Sequence, residues 1–154
     1  MTVSVLFVCL GNICRSPLAE AAFRAEAERQ GLDVEVDSAG TGDWHVGRPP
    51  DSRATAVAGK NGVDISHLRA RQVGADDFLR FDHIVALDAE NLANLKRLEP
   101  NGGKAQLSLL LDHVGGREGE AVADPYYGGS EHFEVTWRDV TEGAQGLARK
   151  IAGR

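Results

Sequence analysis

Cysteine is scarce in this 154-residue chain: Cys9 and Cys14 stand near the start and none follows. Two thiols so close together do not make a secreted disulfide scaffold, which uses more cysteines and spaces them more widely. They do not make a zinc site either, because no second pair stands at ligand spacing and the five histidines are scattered. Long hydrophobic runs are also missing. The apolar run at the N-terminus, Val3 to Leu10, is interrupted by Ser4. It is too short to span a bilayer, and without a basic flank it is a poor signal peptide. A cytoplasmic protein without membrane contacts is expected. There is no basic excess: 17 Lys and Arg stand against 23 Asp and Glu, for a net charge of −6. That argues against nucleic acid or an anionic membrane as a partner held by bulk charge. It leaves room for a small anionic substrate, because a local array of amides and one arginine can outweigh the global field nearby. Repeats, low-complexity tracts and linkers are absent, so one domain over 1–154 is expected. Hydrophobic residues at 42% suffice for a core without disulfides or metals.

What is present alternates between strand and helix patterns. Val3 to Val8 is apolar and β-branched, as in a buried central strand. Ser16-Pro17 opens a helix to about Gln30, with Gly31 as its stop and Glu20 favourably near the positive end of the dipole. Val34 to Ser38 reads as a second strand and Phe81 to Leu87 as a third. Helices are expected from Asp51 to about Gly59–Gly62, from Asp88 to about Leu98, and from Glu131 to Ile151, the last weakened by Gly143 and Gly146. Ala105 to Leu111 suits a short strand leading into a turn. Glycines and prolines between Gly40 and Pro50 mark a long loop around Trp44 and His45. This order implies right-handed crossovers, hence an α/β fold of three layers with a parallel sheet flanked by helices on both faces.

The chemistry concentrates in Cys9-Leu-Gly-Asn-Ile-Cys-Arg15-Ser16, a C-x5-R-S string between the first strand and the first helix. Such a short connection must curl, which turns its backbone N–H groups inward as a concave nest for an anion, with a helix N-terminus behind them. Leu10, Gly11, Asn12, Ile13, Cys14 and Arg15 would line that nest. Arg15 can grip two oxygens of a phosphate at once. The same groups stabilise a thiolate at Cys9, making it a nucleophile aimed at the phosphorus. The string lacks the G-K-[ST] end of a nucleotide-binding P-loop. A phosphate ester also needs its leaving oxygen protonated, and Asp124-Pro-Tyr-Tyr127 offers a carboxyl on a stiffened loop. Two adjacent tyrosines can present one ring to an aromatic substrate and one to the core. On residues alone, that string fits a plain turn with a half-buried tyrosine better.

Together these blocks resemble the low-molecular-weight protein tyrosine phosphatases over nearly the whole chain. Val8-Cys-Leu-Gly-Asn-Ile-Cys-Arg-Ser-Pro-Leu-Ala-Glu20 is similar to the family's N-terminal signature. Asp37 to Thr41, Val46 to Asp51, Ile65 to His67, Phe81 to Asp88 and Asp124 to Gly128 follow in the family's order. The resemblance implies a four-stranded parallel sheet with a phosphate-binding loop after the first strand. It implies two-step hydrolysis of phosphotyrosine in protein substrates through a phosphocysteine, with no metal or cofactor. Cys9 would be the nucleophile, Arg15 the clamp and Asp124 the general acid. Trp44 and His45 would form one wall of the substrate cleft, and Tyr126 and Tyr127 the other. Asn12, Ser16, Ser38 and His67 would support the loop, although as isolated residues the two serines could be caps and His67 a satisfied core histidine. Leu87 stands where many members carry Met, a swap of similar volume. An arsenate reductase on the same fold needs relay cysteines beyond Cys14, which this chain lacks. A silent phosphate-binding adaptor would be expected to lose Cys9, Arg15 or Asp124, and all three are present.

Overall fold

A computed structural model describes residues 2–153. Strand β1 (Val3–Cys9) enters the centre of the sheet and leads to helix α1 (Arg15–Gln30). There follow β2 (Val34–Gly40), α2 (Ser52–Lys60), a one-turn α3 (Asp77–Arg80), β3 (His83–Ala86), α4 (Ala89–Leu98), β4 (Gln106–Leu109) and α5 (Ser130–Ile151). A 3-10 turn, Leu110–His113, follows β4 directly. The four strands are ordered β2-β1-β3-β4 and pair in parallel throughout. This is the expected fold class.

Alternation along β1 divides the core into two layers. Val5, Phe7 and Cys9 face one side, where α1, α2 and α5 pack, and Phe7 meets Phe23 with ring centroids 5.6 Å apart. Leu6 and Val8 face the other, with Phe78, Phe81, Ile84 and Leu95. All of these side chains are buried, and each contributes about 1.5–3 kcal/mol of transfer free energy for a Val, Leu, Ile or Phe. Leu87 packs into the first layer without exposure.

Three local features depart from the sequence reading. β2 continues two residues past Ser38, because Gly40 pairs with Cys9 and bridges to Gln72. A Cβ on Gly40 would lie 2.7 Å from the Leu10 carbonyl oxygen, so only glycine lets β2 run this close to the loop after β1. Gly143 and Gly146 are also contact positions rather than weak points of α5. A Cβ on Gly146 would sit 2.0 Å from the His113 carbonyl oxygen, and one on Gly143 would sit 2.4 Å from Leu110. Finally, Glu20 is not a solvated dipole partner but is buried, with its carboxylate held by Ser38 and Arg24.

The chain order makes β1 and β3 adjacent although β2 lies between them in sequence. The crevice beyond their C-terminal ends is the place where open parallel sheets bind ligands. The loop after β1 occupies it.

Candidate active site

Residues 10–14 wrap from the end of β1 to the start of α1. Asn12 takes φ of 57°, the only left-handed non-glycine among the described residues. Its side chain explains why that conformation holds. The Nδ2 group donates to Ser16 Oγ at 2.8 Å and to Ser38 Oγ at 3.0 Å, while Oδ1 accepts from the Arg71 backbone N–H at 3.0 Å. Its backbone N–H points back at Cys9 Sγ, 3.3 Å away. Ser16 Oγ lies 3.0 Å from the same sulfur.

These bonds have a direction. Ser38 Oγ donates to Glu20 Oε1 at 2.8 Å, so it accepts from Asn12. Ser16 also accepts from Asn12, so its hydroxyl proton is left for Cys9 Sγ at 3.0 Å, with the Ala39 carbonyl a longer acceptor at 3.4 Å. Glu20 is 1% exposed. Burial pushes its carboxyl above the usual range, opposed by Ser38 and Arg24, whose guanidinium donates to Oε2 at 3.0 and 2.9 Å. Sequence reasoning treated Glu20 as a dipole effect, and the carboxylate instead anchors a chain that ends at the thiol.

Arg15 is 3% exposed beneath the loop. Its Nη1 donates to Asp88 Oδ2 at 2.7 Å and to the Val122 carbonyl at 3.0 Å, and its Nη2 lies 3.7 Å from Asp124 Oδ2. Burial opposes its charge, but Cys9, Asp88 and Asp124 outweigh that and hold it protonated. The second cysteine is different in character. Burial, then Asp51, Cys9 and Asp124, push the Cys14 thiol up, so it stays neutral, and the hydrogen-bond donors converge on Cys9.

Above the loop is a cavity of about 400 Å³ lined by Cys9, Leu10, Gly11, Ile13, Cys14 and Arg15 together with Trp44, His45, Asp124, Tyr126 and Tyr127, with the His45 and Tyr126 rings 6.5 Å apart. Trp44 is 69% exposed yet has a floor: a Cβ on Gly42 would fall 1.9 Å from its ring. Asp124 accepts from the Tyr126 N–H at 3.1 Å through Oδ1, which leaves Oδ2 3.7 Å from Arg15, and its side chain is 45% exposed.

The model of the family described as "Low molecular weight phosphotyrosine protein phosphatase" matches residues 4–154. A fission yeast (Schizosaccharomyces pombe) protein of that description is 45% identical over 153 residues, covering 97% of both chains. The chain belongs to this family. Among solved structures, a protein tyrosine phosphatase from Entamoeba histolytica with Hepes in its active site superposes with a TM-score of 0.92 at 34% identity, covering 98% of this chain and 97% of that one. A Drosophila arginine phosphatase superposes at 0.90 with 32% identity, covering 96% of both chains.

Against the family expectation, the structure gathers Cys9, Asn12, Arg15, Ser16, Ser38, Trp44, His45, Asp124, Tyr126 and Tyr127 around one crevice. Two expectations need correction. His67 is exposed and makes no hydrogen bond to Asn12. The segment after it is drawn onto β2 by the Gly40–Gln72 bridge, and the Arg71 N–H takes the Asn12 acceptor instead. Neither tyrosine faces the core: Tyr126 is 38% and Tyr127 96% exposed, their rings stacked edge-on at 4.9 Å. Asp88 is the site residue that sequence reasoning missed. It caps α4 through Oδ1 and holds Arg15 through Oδ2, a pairing across 73 positions that no sequence pattern displays.

Proposed function

We propose that this enzyme hydrolyses phosphate monoesters, with protein phosphotyrosine as its substrate class, through a phosphocysteine. The observation that carries the reading is the convergence of the Asn12 N–H and the Ser16 hydroxyl on Cys9 Sγ, at the base of a cavity with aromatic walls. In the first step Sγ attacks phosphorus and the P–O bond to the phenol breaks. Asp124 at the cavity mouth gives its proton to the departing oxygen. The loop amides and Arg15 hold the equatorial oxygens as charge redistributes. In the second step the Asp124 carboxylate takes a proton from water, the water oxygen bonds to phosphorus, and the S–P bond breaks to return the Cys9 thiolate. Ser16 donates to that leaving sulfur. The depth of the cleft favours an aryl ester, because a short phosphoserine side chain would leave its phosphorus far from Cys9. A cytoplasmic location suits a nucleophile that works only in the reduced state, and both cysteines are free.

The test is a panel of phosphotyrosine, phosphoserine, phosphoarginine and phosphosugar substrates, assayed with wild type and Cys9→Ser. Turnover of phosphotyrosine peptides and an acid-quenched enzyme carrying one phosphoryl group, both lost in Cys9→Ser, is the expected result. Faster turnover of phosphoarginine would transfer the assignment to the activity named for the Drosophila neighbour.

A further inference from the structure

The acid loop has no regular secondary structure between Val122 and α5, yet general-acid catalysis requires its carboxyl to be held in place. Among the described residues, the hydrogen bonds tying Tyr126–Gly128 to another element come from one side chain, Arg53 near the start of α2. Its Nη1 donates to the Gly128 carbonyl at 2.8 Å and its Nη2 to the Tyr126 carbonyl at 2.9 Å. The same guanidinium grips Asp51, with Nε on Oδ1 and Nη2 on Oδ2, both at 3.0 Å. It also lies over the Phe133 ring at 4.5 Å and the Tyr126 ring at 5.9 Å. Asp51 in turn is fixed to the phosphate loop, since its N–H donates to the Ile13 carbonyl at 2.8 Å.

These contacts form one continuous path. Ile13 of the phosphate loop holds the Asp51 backbone, the Asp51 carboxylate orients the Arg53 fork, and the fork holds the Tyr126 carbonyl. The Tyr126 N–H then sets the Asp124 carboxyl. Arg53 itself does not line the cavity. A structural anchor for α2 alone would need only the Asp51 pair. Two further bonds to the loop that carries the acid are not explained by helix capping.

We propose that Arg53 is a positioning residue that registers the acid loop on the phosphate loop, and that it acts on the reaction through Asp124. The proposal rests on Asp124 being the general acid. Arg53→Lys is the main variant, because it keeps the charge and removes the planar fork; Arg53→Met removes both. The readouts are kcat/KM for phenyl phosphate, a poor leaving group, and for p-nitrophenyl phosphate, a good one, with the inhibition constant of inorganic phosphate measured alongside.

The expected result for Arg53→Lys is a loss of about tenfold in kcat/KM for phenyl phosphate and under about twofold for p-nitrophenyl phosphate, a fraction of what a general acid contributes. Phosphate inhibition should be unchanged. In an Asp124→Asn background the same change should have no further effect, since the group it positions is gone. Equal losses for both esters, or losses that add to those of Asp124→Asn, would overturn the proposal and make Arg53 a scaffold residue. Leaving-group-independent loss in Asp124→Asn alone would overturn the acid assignment and this inference with it. If Arg53→Met does not fold, Arg53→Lys still decides the matter.

Discussion

Replacing Ser16 with alanine isolates the hydroxyl that faces the nucleophile. Ser16 is fully buried, its Oγ is 3.0 Å from Cys9 Sγ, and it accepts from Asn12 at 2.8 Å. The substitution removes a charge-assisted donor to the thiolate, worth about 1.5–3 kcal/mol. The two chemical steps feel that loss unequally. In the first, a less stabilised thiolate is also a stronger nucleophile, which offsets part of the loss. In the second, the sulfur is the leaving group and the whole loss raises the barrier. Hence kcat should fall by about 10- to 150-fold, kcat/KM should fall less, and the phosphocysteine should accumulate. Stopped-flow assay with p-nitrophenyl phosphate should show a burst approaching one nitrophenol per enzyme. Asn12 keeps Ser38 as an acceptor but loses its second one, so thermal stability should drop by a few degrees, at about 2–4 °C per kcal/mol for a chain of this size. A kcat within about threefold of wild type, or equal falls in kcat and kcat/KM without a burst, would refute the role of Ser16 as donor to the leaving thiolate.

Three other outcomes follow from the same geometry. Trp44→Ala should weaken aryl phosphates about tenfold while leaving inhibition by inorganic phosphate nearly unchanged, because the ring is a wall of the cavity and not part of its anion nest; equal loss for both ligands would make Trp44 a scaffold residue. After a peroxide dose, dithiothreitol should restore wild type but not Cys14→Ser, since Cys14 lies in the same curled loop as the nucleophile and can trap its sulfenic acid as a disulfide; equal recovery would leave Cys14 as packing only. His113 is held down at about 4 by burial and by Lys150, against an ordinary 6.5, so the unfolded chain takes up its proton first as the pH falls. Stability is then full above about 6.5 and declines toward about 4 by roughly 2 kcal/mol, allowing for partial solvent access, and comparing melting curves of wild type and His113→Gln at pH 7.5 and pH 5 should show a steeper loss in wild type.

The sequence carried the reacting groups and hid the groups that hold them. Cys9 and Arg15 lie in one short string whose strand-to-helix context forces a curl, so their candidacy was legible before any fold was known, whereas Ser16 beside them could equally have been a cap. Asp124 was legible only with the other family blocks around it, because its string alone also suits a turn. Asp88, Glu20 and Arg53 were not legible. Asp88 meets Arg15 across 73 positions and Arg53 meets Gly128 across 75, and neither pair has a periodicity that sequence can display. Glu20 is nearer, 18 positions from Ser38, but a glutamate in the first turns of a helix has an ordinary explanation in the dipole. Only its burial reveals the other role. His67 failed for the opposite reason: a histidine in a matching block was read as inward-facing, while the pairing of Gln72 with Gly40 sets which residues of that segment approach the loop.

The net charge of −6 and an anionic substrate are reconciled by the range of the forces involved. Formal charges at the site do not favour a dianion: among the described residues Arg15 is its one buried cation, and Asp88 and Asp124 stand against it. What remains is short-range. Backbone N–H groups of the curled loop, a helix N-terminus and a planar fork act over bond distances and lose little to screening. Such an array distinguishes a tetrahedral anion from a carboxylate by fit, where a basic surface would attract either. It also explains why the support beneath the loop is built from neutral hydroxyls and an amide, ending in one carboxylate four hydrogen bonds removed from the sulfur. Glu20 orients the chain of donors toward Cys9 from a position where its own charge does not directly oppose the thiolate.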